Sequence, residues 1–397
     1  MQLTDNEKAN RIIPFFRLAF RPFFFGGALF SIIALSIWGC FLLEGRPEAF
    51  YASPFWWHTH EMLFGFGGAI IVGFLLTAVQ TWTGIPGVRS WQLAGLFLLW
   101  LTARLGMLLI QEPSEWLAII DLVWLPTSAT MLARSVLKVK MWRNLLFVPL
   151  LLLMAIANGQ MHYAAFQADY SLAMQAAGSG LLLITILMLV LGGRVIPFFT
   201  SIRLGFPQPE RLLWLELLAL IPVVFVLLIT MNSGSINSNW VVAILSIACA
   251  ANTWRFLRWR PWLTLHEPLL WSLHLSYVCI VSGLLLLTLT PCIGWGNAIA
   301  LHVLAIGGMG GLILAMICRV TLGHTGRLMQ LPGKAVGFVL GLPVFSALLR
   351  SILPELVPSL RIDFYVISIL LWILAYGTFL LFYGHMLLQK RVDGKPG

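Results

Sequence analysis

The stretch Trp56-Trp57-His58-Thr59-His60-Glu61-Met62-Leu63-Phe64-Gly65-Phe66-Gly67-Gly68 sets a polar head directly against an apolar run that continues to Val79. Two imidazoles and a carboxylate at the mouth of a hydrophobic segment need partners, because ionisable groups are costly in lipid. Interfacial water beside the tryptophan belt would satisfy one such histidine. A pair, with a further intramembrane histidine at matching depth later in the chain, points to a cofactor site instead.

Working outward, the composition places the whole chain in the class this stretch suggests. Hydrophobic residues make up 59% of the sequence and charged residues 10%, against roughly 25% charged in a soluble domain. The mean hydropathy of +0.90 agrees, so a polytopic membrane protein is expected. The formal net charge of +10 reflects where the basic residues lie in a membrane protein, not affinity for nucleic acid. The five cysteines, Cys40, Cys249, Cys279, Cys292 and Cys318, contain no C-x-x-C pair, which speaks against a disulfide framework or a thiolate metal site. Residues 1–9 lack the signal-peptide pattern of basic stretch, short apolar core and cleavage site, so the first apolar segment is expected to be retained.

Apolar segments of about 20 residues, enough to span a bilayer, fall near 22–43, 60–80, 91–110, 116–137, 145–162, 172–193, 212–231, 240–257, 268–290, 298–318, 335–353 and 364–387. The expected fold is all-α: one membrane domain over 1–397 with twelve transmembrane helices. Short loops with turn formers join them, among them Gly84-Ile85-Pro86-Gly87, Asn232-Ser233-Gly234-Ser235 and Pro291-Cys292-Ile293-Gly294. An even count puts most basic residues on one side, from Lys8, Arg11, Arg17 and Arg21 before the first helix to Lys390, Arg391 and Lys395 after the last. Only Arg46, Arg350 and Arg361 fall on the other side, and Arg104 lies within the third helix. The positive-inside rule then sets both termini in the cytoplasm.

This topology sorts the eight histidines into two layers. His58, His60, His162 and His302 lie toward the outer face; His266, His274, His324 and His385 lie toward the cytoplasm. His302 and His324 end up roughly 33 Å apart along a straight helix, too far for one metal. His58 and His60, at i and i+2, point to nearly opposite sides of a helix, so at most one faces a cofactor inside the bundle.

The chain also carries an internal echo. The interval from His60 to Thr83-Gly84 equals that from His302 to Thr325-Gly326, and the sixth segment ends in a related Arg194-Val195-Ile196-Pro197 stretch. Segments 2, 6 and 10 are spaced by four, which would suit three four-helix arcs. Equal depth would let His60 and His302 grip an iron porphyrin from both faces, since neutral imidazole is a standard heme ligand. Arg194 and Arg319 either clamp an anionic group such as a heme propionate or snorkel as cations of the inner face. The glycines at 65, 67, 68 and at 307, 308, 310, 311 either leave room for a flat macrocycle or permit close helix packing. His274 and Tyr277 share a helix face at i, i+3 and form either a proton-transfer pair or a buried hydrogen-bonded histidine with its neighbour.

Several stretches together resemble the NnrS family of bacterial inner-membrane proteins. They are Trp57 to Phe66, Gly73 to Ala78 with Trp82-Thr83-Gly84, Gly192 to Thr200, Leu273-His274-Leu275-Ser276-Tyr277, Arg319 to Arg327 and Arg391 to Gly397. Lys390 departs from the pattern, in which a proline precedes the Arg-Val-Asp-Gly tail. The resemblance implies a protein holding heme, of the b type, and copper, linked to denitrification and to tolerance of nitrosative stress. His58, His60, His274 and His324 stand within its motifs; His162 and His302 rest on the depth argument.

The reading is therefore a membrane heme and copper protein that binds nitric oxide or a related diatomic, and reduces or detoxifies it if an electron donor serves it. His58, His60, His162, His274, His302 and His324 are the metal-ligand candidates. His60, His302, Arg194 and Arg319 are the residues expected to bind the cofactor. The alternative is a transporter for a metal complex or small anion, since polar groups on Gly/Pro-interrupted helices also mark transport paths.

Overall fold

The structure is a computed structural model that describes residues 11–45, 50–232 and 239–395. Lys8, Arg46, the Ser233-Gly234-Ser235 turn and Pro396-Gly397 lie outside the described residues. Among those described, twelve helices are long and apolar enough to cross a membrane, and none of the structure is strand. They are α1 (Phe20–Glu44), α2 (Pro54–Thr83), α3 (Ser90–Leu109), α4 (Glu115–Lys138), α5 (Trp142–Phe166) and α6 (Tyr170–Leu204). Next come α7 (Leu213–Met231), α8 (Asn239–Arg258), α9 (Pro268–Thr290), α10 (Asn297–His324), α11 (Lys334–Leu356) and α12 (Pro358–Leu388).

Helix α7 shows why such a segment is apolar all round. Leu215, Ala219, Val223 and Val226 are buried on one side, while Leu217, Ile221, Phe225 and Leu228 are exposed on the other. A soluble helix would carry polar residues on that second face; here it is suited to lipid.

Two boundaries differ from the sequence expectation in ways that matter for the site. Helix α2 begins at Pro54, not near 60. The Ser53 hydroxyl accepts the Trp56 amide at 3.3 Å and Pro54 occupies the first turn, a start signal in which cap and proline cooperate. His58 and His60 therefore lie inside the helix and not at its mouth. Helix α6 does not close at 193 but continues through Pro197 to Leu204. A proline removes one ladder hydrogen bond, yet the apolar Val195–Phe199 run has no better way to satisfy its backbone in lipid than to stay helical. Arg194 is thus inside α6, and Arg319 likewise lies a turn before the end of α10.

Helices α2 and α10 share an interruption. After His60 the backbone widens into a π-helix over Glu61–Gly67 before returning to α geometry at Gly68. After His302 it does the same over Val303–Gly310, returning at Gly311. The sequence echo between these segments thus has a backbone counterpart, with a histidine immediately before each π segment. Such π turns are rare and concentrate at functional sites.

The helices gather into two compact units. The first comprises α1–α5, the first turns of α6, the last turns of α10 with the segment to Gln330, and the end of α12 with the tail. The second comprises the rest of α6 through α10, with α11 and most of α12.

Candidate metal centre

Within the first unit, α2, α3, α4 and α5 each contribute a polar residue to one buried cluster. His60 and Glu61 come from α2, Arg104 from α3, Asp121 from α4, and Asn158 and His162 from α5. All six are buried, and His60, Glu61, Asp121 and Asn158 have no exposed surface. The helices alternate in direction, so residues six or seven positions from the start of α2 and α4 meet residues near the ends of α3 and α5. That places the cluster roughly 9 Å inside one end of the bundle.

Asp121 is the hub. Its Oδ2 lies 3.1 Å from His60 Nε2 and 3.1 Å from His162 Nε2, and it accepts the Asn158 amide at 2.7 Å. Its Oδ1 accepts from Arg104 Nη2. Arg104 Nη1 donates to Glu61 Oε1 at 3.0 Å, so one guanidinium holds both carboxylates. His60 Nδ1 lies 2.8 Å from the same Glu61 oxygen. The His60 ring stacks on Trp56 with centroids 4.4 Å apart and planes 11° from parallel, and Trp56 donates to the Met161 carbonyl at 2.8 Å. The π segment is braced alongside: Trp100 Nε1 donates to the Gly65 carbonyl at 2.9 Å.

Charge counting shows what this cluster lacks. Two carboxylates face one guanidinium and two imidazoles, so in this fully buried place the charges balance only with one further proton on an imidazole or one bound cation. Burying an unbalanced charge is expensive. His60 Nε2 also faces two acceptors, Asp121 Oδ2 and, at 2.7 Å, Asn158 Oδ1. Either a proton or a metal cation belongs between them. One ligand atom from each of His60, Asp121 and His162 can be chosen so that all lie within 4.8 Å of one another. Two imidazoles and a carboxylate form a donor set that divalent first-row metals accept. With a metal bound, Glu61 behind His60 would complete a carboxylate–histidine–metal arrangement, the acid accepting the hydrogen bond from Nδ1–H and leaving Nε2 to face inward. His162 has no such orienting acid; its Nδ1 is buried without a hydrogen-bond partner among the described residues.

The remaining candidates are dispersed over both units. His58 points to another side of α2, as its i, i+2 spacing from His60 implied, and stacks on Trp38 of α1 at 4.3 Å. His302 belongs to the second unit, is half-buried, and its Nδ1 lies 2.7 Å from the Ala298 carbonyl. His274, also in the second unit, shares a 3.0 Å hydrogen bond with the Thr200 hydroxyl, while Tyr277 donates to Asn252 at 2.6 Å. The two therefore have separate hydrogen-bond partners, although both rings lie against Phe256 and Trp259. His324 is in the first unit, its ring 5.5 Å from that of Phe20. Arg319 is buried and Arg194 half-buried. The glycines serve packing: a Cβ at Gly307 would lie 2.7 Å from Cys279 Sγ, and one at Gly65 would lie 2.7 Å from Arg104 Nη1.

The matches agree with the motif pattern. A family model described as NnrS protein covers residues 14–391. The chain belongs to the NnrS family. None of the curated proteins matches it in sequence. The NnrS match contains the whole cluster, from His60 to His162, along with the π segments of α2 and α10.

Asp121, Arg104 and Asn158 do not stand out in the sequence as site residues. A signal is nonetheless present, since Arg104 and Asp121 are opposite charges in the interiors of adjacent spans. Any ionisable residue at such depth is a functional candidate whose partner should be sought on a neighbouring helix.

Proposed function

We propose that this NnrS-family membrane protein binds nitric oxide and protects against it, using a metal ion seated on His60, Asp121 and His162. The observation that carries the reading is the convergence of these three donors from α2, α4 and α5 in a fully buried site. Copper, which the family resemblance implies, takes imidazole readily, and when bound it supplies a redox-active Lewis acid for a diatomic ligand. The chain's own residues have separable tasks around it. Glu61 accepts a hydrogen bond from His60 Nδ1–H, so that Nε2 presents its lone pair. Arg104 fixes both carboxylates and offsets one of their charges, Asn158 orients Asp121, and Trp56 covers the imidazole and excludes water.

At His60 the residues fit an ion and not a porphyrin. Its ring is wholly enclosed, with one face on Trp56 and both nitrogens at polar partners. Heme ligation is better matched by His302, where a proton donated from Nδ1 to the Ala298 carbonyl leaves Nε2 as the basic nitrogen. In this reading heme and copper occupy different histidines.

Metal analysis of the purified protein tests the proposal. Copper near one equivalent is expected in the parent, falling to about a tenth or less in His60→Ala, Asp121→Asn and His162→Ala, with nitric oxide tolerance falling alongside. Copper retained at parental stoichiometry in all three folded variants would remove the site.

Transport of a metal complex or small anion is a second reading, favoured by the π interruptions in one span of each unit, since broken helices mark substrate sites in transporters. Absorption spectroscopy separates the two. A Soret band from protein-bound heme supports the nitric oxide reading. A colourless, metal-free protein that moves labelled copper across vesicles, and loses that transport in His60→Ala, supports transport.

A further inference from the structure

Two motifs of the sequence remain without a role: Gly323-His324-Thr325-Gly326-Arg327 at the end of α10, and Arg391-Val392-Asp393-Gly394 after α12. In the first unit they are bound to each other. The Val392 amide donates to the Thr325 carbonyl at 3.2 Å, and Arg391 Nη1 donates to the His324 carbonyl at 2.9 Å. Gly326 has φ +75°, and a Cβ there would meet Asp393 Cγ at 2.8 Å, so both the turn and the close approach demand glycine.

The same place receives the start of α1. Arg21 is fully buried, and its Nη1 donates to the carbonyls of Met386, Leu387 and Gln389 at 3.3, 2.9 and 2.7 Å. It feels the like charges of Arg17, Arg327 and Arg391, and Arg17 is itself buried. Four guanidinium groups from three chain segments thus converge at the ends of α1, α10 and α12. Asp393 pairs with Arg391, accepting its Nε at 2.8 Å and Nη2 at 2.6 Å, and also accepts the Lys395 amide at 3.2 Å. Arg327 Nη1 is buried with no hydrogen-bond partner among the described residues. Snorkelling does not explain this, because a snorkelling cation reaches out to water.

We propose that Arg17, Arg21, Arg327 and Arg391 form a binding site for a phosphate-bearing anion at the level where membrane spans end. Arginine suits phosphate because its planar fork offers paired donors to two oxygens. The carbonyl grip on Arg21 and the Asp393 grip on Arg391 hold two of the forks in place, and Arg327 supplies the unfilled donor. The phosphate is that of an anionic phospholipid headgroup or of a soluble phosphate.

The full chain in detergent provides the test, read by tryptophan fluorescence as a shift in melting temperature. One arm adds phosphatidylglycerol, with phosphatidylcholine as the uncharged control; the other adds inorganic phosphate. A saturable rise with phosphatidylglycerol alone supports the site and assigns a lipid. A rise with inorganic phosphate alone supports it and assigns a soluble ligand. In either case Arg327→Gln should weaken the half-saturating concentration at least about tenfold, with Arg327→Lys between, and copper content should stay at the parental value. If Arg327→Gln does not accumulate, Arg17→Gln is read in the same way. No rise in either arm, or an unchanged half-saturation in the folded glutamine variant, would overturn the proposal.

Discussion

Arg104 carries the heaviest duty of any single residue, because one guanidinium holds Glu61 and Asp121 together where no water reaches. Arg104→Met would leave both acids without their counter-charge, and breaking a buried pair from one side costs about 3–5 kcal/mol. The expected outcome is a sharp fall in monodisperse protein on size exclusion and in melting temperature. Arg104→Lys, which keeps the charge but not the fork, should fall between. A lysine variant equal to the parent in both would show that charge alone suffices. At the tail, Asp393 lies outside the spans and its hydrogen bonds with Arg391 hold its carboxyl well below the usual range. A depressed acid contributes fully above its unfolded value of about 3.9 and loses that contribution only as pH falls through the lower folded value. Tail docking should therefore be constant from about pH 5 to 8 in the parent, and Asp393→Asn should loosen it equally across that window. Limited proteolysis at the tail measures this. Residue types such as His60 and His162 are legible in the sequence because histidine is conspicuous in lipid. The pairing of Asp121 with Arg104 is not, since only the packing of α3 against α4 brings them together.

At the scale of elements, the π turns do what a regular helix would not. A π turn holds one more residue than the α turn it replaces, so it rotates the helix on its N-terminal side against the helix on its C-terminal side. In α2 this decides which way His60 faces relative to the packed face from Gly68 onward. Deleting Gly67 should let the α ladder close and swing His60 by about 100°. The expected result is an inserted, monodisperse protein that has lost copper; full copper in that deletion would mean the π segment does not aim the ligand. The π turns are invisible in the sequence because α and π segments share the same apolar pattern, although the equal intervals after His60 and His302 hint at a common device. The start of α2 is legible in a different signal from the one that hydropathy supplies: Ser53-Pro54 opens the helix, whereas the apolar run alone begins at the histidines. The continuation of α6 through Pro197 is hidden by a rule that holds in water and weakens in lipid.

For the whole molecule, twelve apolar spans are plain from composition and segment length, because burying or exposing this much apolar surface to lipid leaves no other class of fold. The grouping of the spans into two units is not, since apolar helix faces carry no address for their neighbours. The same topology assigns sides to the two sites. The metal cluster joins the first turns of α2 and α4 to the last turns of α3 and α5, whereas the arginine site joins the start of α1 to the ends of α10 and α12. From the positive-inside rule, the even number of spans and the basic excess at Arg17, Arg21, Lys138, Lys140, Arg143, Lys390 and Arg391, we propose that the arginines face the cytoplasm and the metal cluster the outside. Nitric oxide and copper would then reach the cluster from the outer side, and anionic headgroups of the inner leaflet would meet the arginines. Alkaline phosphatase, active only outside the cytoplasm, should be active when inserted after Glu112 between α3 and α4 and inactive when fused after Lys395. The opposite pattern would exchange the faces, leaving the geometry of both sites intact while reversing the side from which each ligand arrives.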